Sequence, residues 1–257
     1  MSSFRPVDRK RFAVAWRVAI EEALRGPLVR SGWLVLAAFS GVVASRISTD
    51  RTVSLVITQF AVYFALLCAG ETIFREYASR RAAVLLGWGV GRRQHYLATC
   101  AAWLTVYLVG CWAFGLAFLC LRYLGKGLDG IGPLGGAFAI PVLVLPVLGL
   151  GFLLSTILPG WSNVAVLMAL MLVLGIISEL DESFGPLAVL ARFVLGSSDS
   201  VKECLSVGGG ADAALRAAGV LGGAVARMAL FVSIGAWLVG SRLGRRRLGR
   251  AAAGARG

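Results

Sequence analysis

The chain has 257 residues, 58% of them hydrophobic and only 15% charged, with 26 Lys+Arg against 13 Asp+Glu. Soluble domains carry about 25% charged residues, and a globule of this length could not hide so much apolar surface; the same composition excludes disorder. A mean hydropathy of +0.80 leaves an integral membrane protein, so the net charge of +13, which would suggest nucleic acid in a soluble protein, has to be judged by where it sits.

Residues 1–30 are too charged to be inserted, yet they have helical order from about Arg9 to Leu28. Arg17, Glu21 and Arg25 recur every four residues and can pair along one face. Phe12, Trp16, Ala19, Ile20 and Ala23 line the opposite face. A basic helix with an aromatic-bearing apolar stripe suits the headgroup layer, with Phe12, Trp16 and Ile20 toward the acyl chains and Arg17 toward anionic lipid.

Apolar stretches follow, each set against the ~20 residues needed to cross a bilayer. They cover 31–47, 53–70 (with Thr58 and Gln59 inside), 96–121, 132–158 (with Pro141 and Pro146) and 161–178 after the turn Pro159-Gly160. A sixth at 224–243 places Arg227 and Arg242 near opposite ends, where both can snorkel. Centring Arg227 would cost about 2.5–3.5 kcal/mol on insertion scales; a functional Arg227 within the membrane is the alternative, and Gln59 is the other polar residue of note inside a span. Residues 184–195 are too short to cross and apolar enough to lie in the interface or re-enter.

This spacing predicts an all-α integral membrane fold: an N-terminal interfacial helix (1–30), a six-span domain (31–243) and a basic tail (244–257). Segments 1–30, 71–95, 159–163 and 241–257 then share one side and hold 18 basic and 5 acidic residues, while 46–52, 122–131 and 179–216 hold 7 and 8. The positive-inside rule puts both termini in the cytoplasm. The charge is therefore topological, and nucleic acid is not an expected partner. The cysteines lack a CxxC spacing; Cys68, Cys100, Cys111 and Cys120 read as small hydrophobes, and Cys204 stands alone in a polar loop. The Gly219-x-x-x-Gly223 spacing is a small-residue packing face.

The cytoplasmic segment 71–95 carries the most information. Glu76 and Arg80 are four apart in the favourable order for a helical pair, Arg81 follows, then Leu85, Leu86 and Trp88, and glycines at 87, 89 and 91 break the helix before Arg92. A short helix with a charged entry and an apolar tip, held between two spans, suits a part that pushes or is pushed. With its acidic entry, arginine run, Leu-Leu pair and turn, the segment resembles the coupling loop of the membrane-spanning permease subunit of type-2 ATP-binding-cassette (ABC) exporters. Glu76 takes that loop's Glu position, Leu85-Leu86 its Leu-Leu, and Gly89-Val90-Gly91-Arg92 its Pro-Val-Ser-Arg turn. Its Gly-Thr and its Lys entering the third span have no counterpart.

The resemblance implies that Glu76, Arg80, Arg81, Leu85, Leu86, Trp88 and Arg92 dock a separate ATPase subunit, that the N-terminal helix is the family's elbow helix, and that a second permease chain completes the pathway in a bacterial inner (plasma) membrane. It also implies that ATP and Mg bind the partner, with no cofactor, metal or catalytic residue in this chain. No G-x-x-x-x-G-K-[ST] occurs to cradle phosphates. His95 has no evident nucleophile beside it and is expected at headgroup level. Cargo within the family's range would be a lipid, drug, glycan or peptide; a membrane anchor or an intramembrane lipid enzyme are the other readings.

Overall fold

The computed structural model describes residues 8–25, 27–45, 50–70, 90–123, 132–158, 160–179, 189, 193 and 211–241. Among these the chain is all-helical: α1 (Arg9–Arg25), α2 (Pro27–Ser45), α3 (Asp50–Gly70), α4 (Arg92–Tyr123), α5 (Gly132–Leu143), α6 (Leu145–Leu154), α7 (Gly160–Glu179) and α8 (Ala211–Gly240). Three stretches among the described residues, Arg92–Cys120, Gly135–Leu154 and Ala214–Gly240, are long and apolar enough to cross a membrane. α3 and α7 are helices of 21 and 20 residues.

α3 is the central element and touches α2, α4, α5, α6 and α7. Val56, Ile57, Phe60, Ala61, Phe64, Ala65, Cys68 and Ala69 are all buried, so it is covered over most of its circumference, with Leu55, Gln59 and Tyr63 on one exposed stripe. Its aromatic rings set its register on antiparallel α4: Phe60 stacks on Phe114 at 3.8 Å, and Phe64 lies 6.1 Å from Tyr107. Trp33 of α2 meets Phe60 edge-on and donates its indole N–H to the Gly110 carbonyl at 3.1 Å. A Cβ at Gly110 would strike the Phe64 ring, so glycine there lets α3 and α4 close up.

The stretch 132–158 is two helices with a break at Val144. Pro146 has no N–H for the carbonyl four residues back, and its ring crowds that position. The Tyr107 hydroxyl, on α4, donates to the Pro141 carbonyl at 3.1 Å beside the break. α6 ends in a tight turn where the Ser155 and Thr156 hydroxyls donate to the carbonyls of Phe152 (2.8 Å) and Leu153 (2.7 Å), satisfying groups a helix end leaves open.

α8 differs from the expected 224–243. It starts at Ala211, so Arg227 stands near the middle of a 30-residue helix and not near its end. Snorkelling is replaced by internal hydrogen bonds. Arg227 Nε donates to the Gly223 carbonyl (3.1 Å) and Nη1 to the Phe193 carbonyl (2.8 Å), which offsets the cost of the charge.

Close approach predicts a sharp contrast between glycines. A Cβ at Gly151 would collide with the Ala69 Cβ, which moves only with its backbone, whereas one at Gly41 meets nothing within 4 Å. Gly151→Ala is expected to destabilise by about 1–3 kcal/mol and Gly41→Ala to be neutral or slightly stabilising. Thermal melts in detergent check this; equal melting temperatures would contradict the packing.

Candidate functional site at the loop-bearing end of the bundle

α3 ends at Gly70 and α4 begins at Arg92, so the segment singled out by its charge pattern hangs between these two ends. Glu76, Arg80, Arg81, Leu85, Leu86 and Trp88 lie outside the described residues. What the structure does show is how both attachment points are held.

The α3 end is held by Asn163, in the first turn of α7 and fully buried. Its Nδ2 donates to two carbonyls, Ala69 at 2.9 Å and Gly151 at 3.1 Å. One side chain thus ties α3, α6 and α7 together, and it can reach both carbonyls because Ala69 and Gly151 carry no bulk between the helices.

The α4 start is held by α1 and α8. Asp8 caps α1, its carboxylate accepting from the Lys10 N–H (3.1 Å) and its carbonyl from Phe12 N–H (2.9 Å). The same carbonyl accepts from Gln94 Nε2 at 2.7 Å. Ala15 packs with Val90 and Ala98 in a small cluster flanked by Phe12 and Trp16. Further along, Ile20 and Leu24 come to the level of Thr105, Val106 and Val109. α1 therefore runs along the first half of α4, and the small residues Ala15, Ala19 and Ala23 are its buried face. Phe12, Trp16 and Ile20, the apolar stripe of the expected surface helix, are half-buried, Phe12 and Trp16 packing on the Ala15–Val90–Ala98 cluster. Arg17 is exposed and pairs with Glu21 at 3.4 Å, the i,i+4 contact its spacing predicts.

Arg92, the only predicted docking residue among those described, opens α4 and is half-buried. Its neighbours reach α8: Arg93 lies against Gly240 and Tyr96 against Gly235, where any Cβ would displace them. His95 is 3% exposed, so it sits inside this junction and not among headgroups. Thr99, one turn on, is also buried.

The two polar residues noted inside spans do not share this junction's role. Gln59 lies on the exposed side of α3. Arg227 sits over the Phe193 ring at 6.0 Å, and that ring meets Phe231 edge-on at 6.4 Å. Phe193 belongs to the stretch expected to re-enter or lie in the interface, and its carbonyl is what the guanidinium holds. Cys68, Cys100 and Cys111 are buried thiols, Cys120 is an exposed one, and no group of three metal-ligating side chains occurs among the described residues. Gly219, Gly222 and Gly223 face open space, with nothing within 4 Å of a Cβ placed on them.

Asn163 was missed in the sequence because a lone Asn two residues past a Pro-Gly-Trp turn looks like turn chemistry. Its position one turn into an apolar helix is the signal that could have found it.

Loss of the amide should loosen the α3 end. Asn163→Ala is expected to cost about 1–3 kcal/mol and to speed alkylation of Cys68, buried one residue before Ala69. Site-resolved mass spectrometry reads that rate, with buried Cys111 as the internal reference; parallel changes at both would mean general loosening. Arg227→Leu should raise solvent or lipid access at position 193, read as faster labelling of a Phe193→Cys reporter in the Arg227→Leu background than with Arg227 intact.

Comparison with known proteins returned no matching family model, no matching curated protein and no matching solved structure.

Proposed function

We propose that this chain is the membrane-spanning permease subunit of an ABC exporter, with six spans, both termini in the cytoplasm and a separate ATPase docked on residues 71–93. The observation that carries the reading is mechanical. The internal segment richest in basic residues is suspended between two helix ends, one tied by Asn163 to α6 and α7, the other gripped by α1 and α8. A segment held at both ends passes displacement to the helices instead of absorbing it.

In this reading Glu76, Arg80, Arg81 and Arg92 meet charged groups of the ATPase and Leu85, Leu86 and Trp88 enter an apolar cleft on it. ATP and Mg bind the partner, and this chain performs no chemistry. The six spans are the three long apolar stretches plus α2, α3 and α7, which at 19, 21 and 20 residues are of bilayer-crossing length. The open face of Gly219, Gly222 and Gly223 suits close approach of a second permease chain. The basic surplus on the loop-bearing side supports a cytoplasmic placement of that side in a bacterial inner membrane. Cargo would be a lipid, drug, glycan or peptide.

Purified from its native membranes in mild detergent, the chain is expected to bring a stoichiometric subunit with a P-loop. Leu85→Asp with Trp88→Ala is then expected to abolish coupled ATP hydrolysis while membrane abundance stays unchanged. A folded, monodisperse chain without such a subunit, or hydrolysis unaffected by the double variant, would overturn the proposal.

A further inference from the structure

Where α1 leaves α4, the helices do not close up. A groove of about 470 Å³ lies between them, bounded by Ile20 and Leu24 of α1, Trp33 and Leu34 of α2, Phe64 of α3 and Val109 of α4. Its lining is almost wholly hydrocarbon, and the polar atoms it contains are already used. Thr105 Oγ1 donates to the Ala101 carbonyl at 2.9 Å and Trp33 Nε1 to the Gly110 carbonyl at 3.1 Å. Water entering here would find few groups to bond, and a cavity needs polar partners to hold water. Leu24, Leu34 and Val109 are 50%, 62% and 57% exposed, so the groove is open to the surroundings of the bundle. On α2 that opening runs on into the exposed row of Val35, Phe39 and Val42, the surface that faces acyl chains if the chain spans a membrane.

Size and charge narrow the occupant. A helix with its side chains is ~10–12 Å across, so 470 Å³ accommodates little more than a turn of one. A methylene takes roughly the ~30 Å³ of a liquid water, so the groove takes a single chain on the order of fifteen carbons. Beside the groove α1 carries two cations, Arg17 and Arg25, along with Glu21 and Glu22, and Arg9, Lys10 and Arg11 lie further toward its N-terminus. Arg17 stands two turns before Leu24, at the edge where the charged face of α1 meets its apolar one, its side chain 82% exposed even while paired with Glu21. Arg25 ends the helix beside Leu24, where a cation also suits the helix dipole.

We infer that this groove binds one acyl chain of an anionic membrane phospholipid, whose headgroup lies on the basic surface of α1, so that a lipid completes the packing of α1 and α2 on α4. The inference rests on the chain spanning a membrane but not on its having an ATPase partner or a cargo. It assigns α1 a role besides clamping the α4 start: its C-terminal half is one wall of a lipid site.

The test uses the full chain reconstituted into vesicles of phosphatidylethanolamine and phosphatidylglycerol, with a trace of phosphatidylglycerol carrying a photoactivatable diazirine midway along one acyl chain. After illumination, peptide mass spectrometry is expected to find Leu24, Leu34 and Val109 labelled at least fivefold above Phe39, Val42 and Trp237, which are 60%, 63% and 62% exposed. Leu34→Trp and Val109→Trp, which fill an open groove and need displace nothing, should each lower that labelling at least fivefold without moving the melting temperature. The same probe on phosphatidylethanolamine should label the groove at least threefold less, and Arg25→Gln should erase that difference. Equal labelling of groove and control positions would overturn the site, and equal labelling by the two headgroups would overturn its anionic character. Disulfide-linked dimers of a Leu34→Cys variant with loss of lipid label would mean that a second copy fills the groove. Absence of label at Trp237 as well as at Leu34 would instead remove the membrane reading on which the inference stands.

Discussion

The amide of Asn163 is the interaction on which the arrangement of helices turns. One nitrogen donates to carbonyls of two other helices, and both carbonyls belong to small residues, Ala69 and Gly151, at which the helices approach closely. In lipid the usual hydrophobic force between helices is absent, so association depends on close packing and on such hydrogen bonds. The two are coupled: without small residues the amide would not reach, and without the amide the close contact would lack direction. The short α6 and the start of α7 are thereby fixed to the end of α3, on the side where segment 71–89 departs.

From that knot the rest of the bundle follows by aromatic packing. The stacked rings of Phe60 and Phe114, with Phe64 one turn along α3 and Tyr107 two turns back along α4, hold α3 against α4. Tyr107 then reaches through its hydroxyl to the proline break between α5 and α6. A fully buried tyrosine oxygen needs a partner, and the irregular backbone between two prolines offers a carbonyl there. The break is therefore part of the packing: it bends the polypeptide so that α6 meets Met228 of α8 at Gly149, where a Cβ would crowd the Met228 backbone.

Much of this was legible as period and composition, because a helix in lipid has to be apolar for most of its length. The long helices α4 and α8, the turn near Pro159-Gly160 and the Arg17–Glu21 pair announce themselves in residue spacing. The start of α8 did not, for a definite reason. Residues 211–223 are Ala- and Gly-rich and only weakly apolar, and placing Arg227 near an end lowers its cost if it has no partner. Its acceptor, the Phe193 carbonyl, is 34 residues away in sequence, and no local pattern predicts a backbone carbonyl arriving from that distance. The α1 stripe is a related case. Its amphipathicity is real, but periodicity identifies an apolar face without saying whether lipid or protein covers it. The alanines at 15, 19 and 23, small enough for a helix to approach, distinguish the two. The charges of 71–89 stand out in composition, while their contacts lie beyond what is described.

The length of α3 also bears on function. It has 21 residues, about 31 Å at 1.5 Å per residue, which matches a hydrocarbon core of ~30 Å with little left over for tilting. α3 touches α2, α4, α5, α6 and α7, and its C-terminal end meets protein: Ala69 meets Asn163, and Leu67 meets Gly32. The helices α4 and α8, at 32 and 30 residues, have length to spare for tilting. The consequence is asymmetric. The segment between α3 and α4 joins the central helix of the bundle to one of the longest, and the long one carries α1 along its flank. Under the permease reading, a force on that segment acts at once on the centre of the bundle and on its periphery, and the lipid groove lies where α1, α2 and α4 would have to slide past one another.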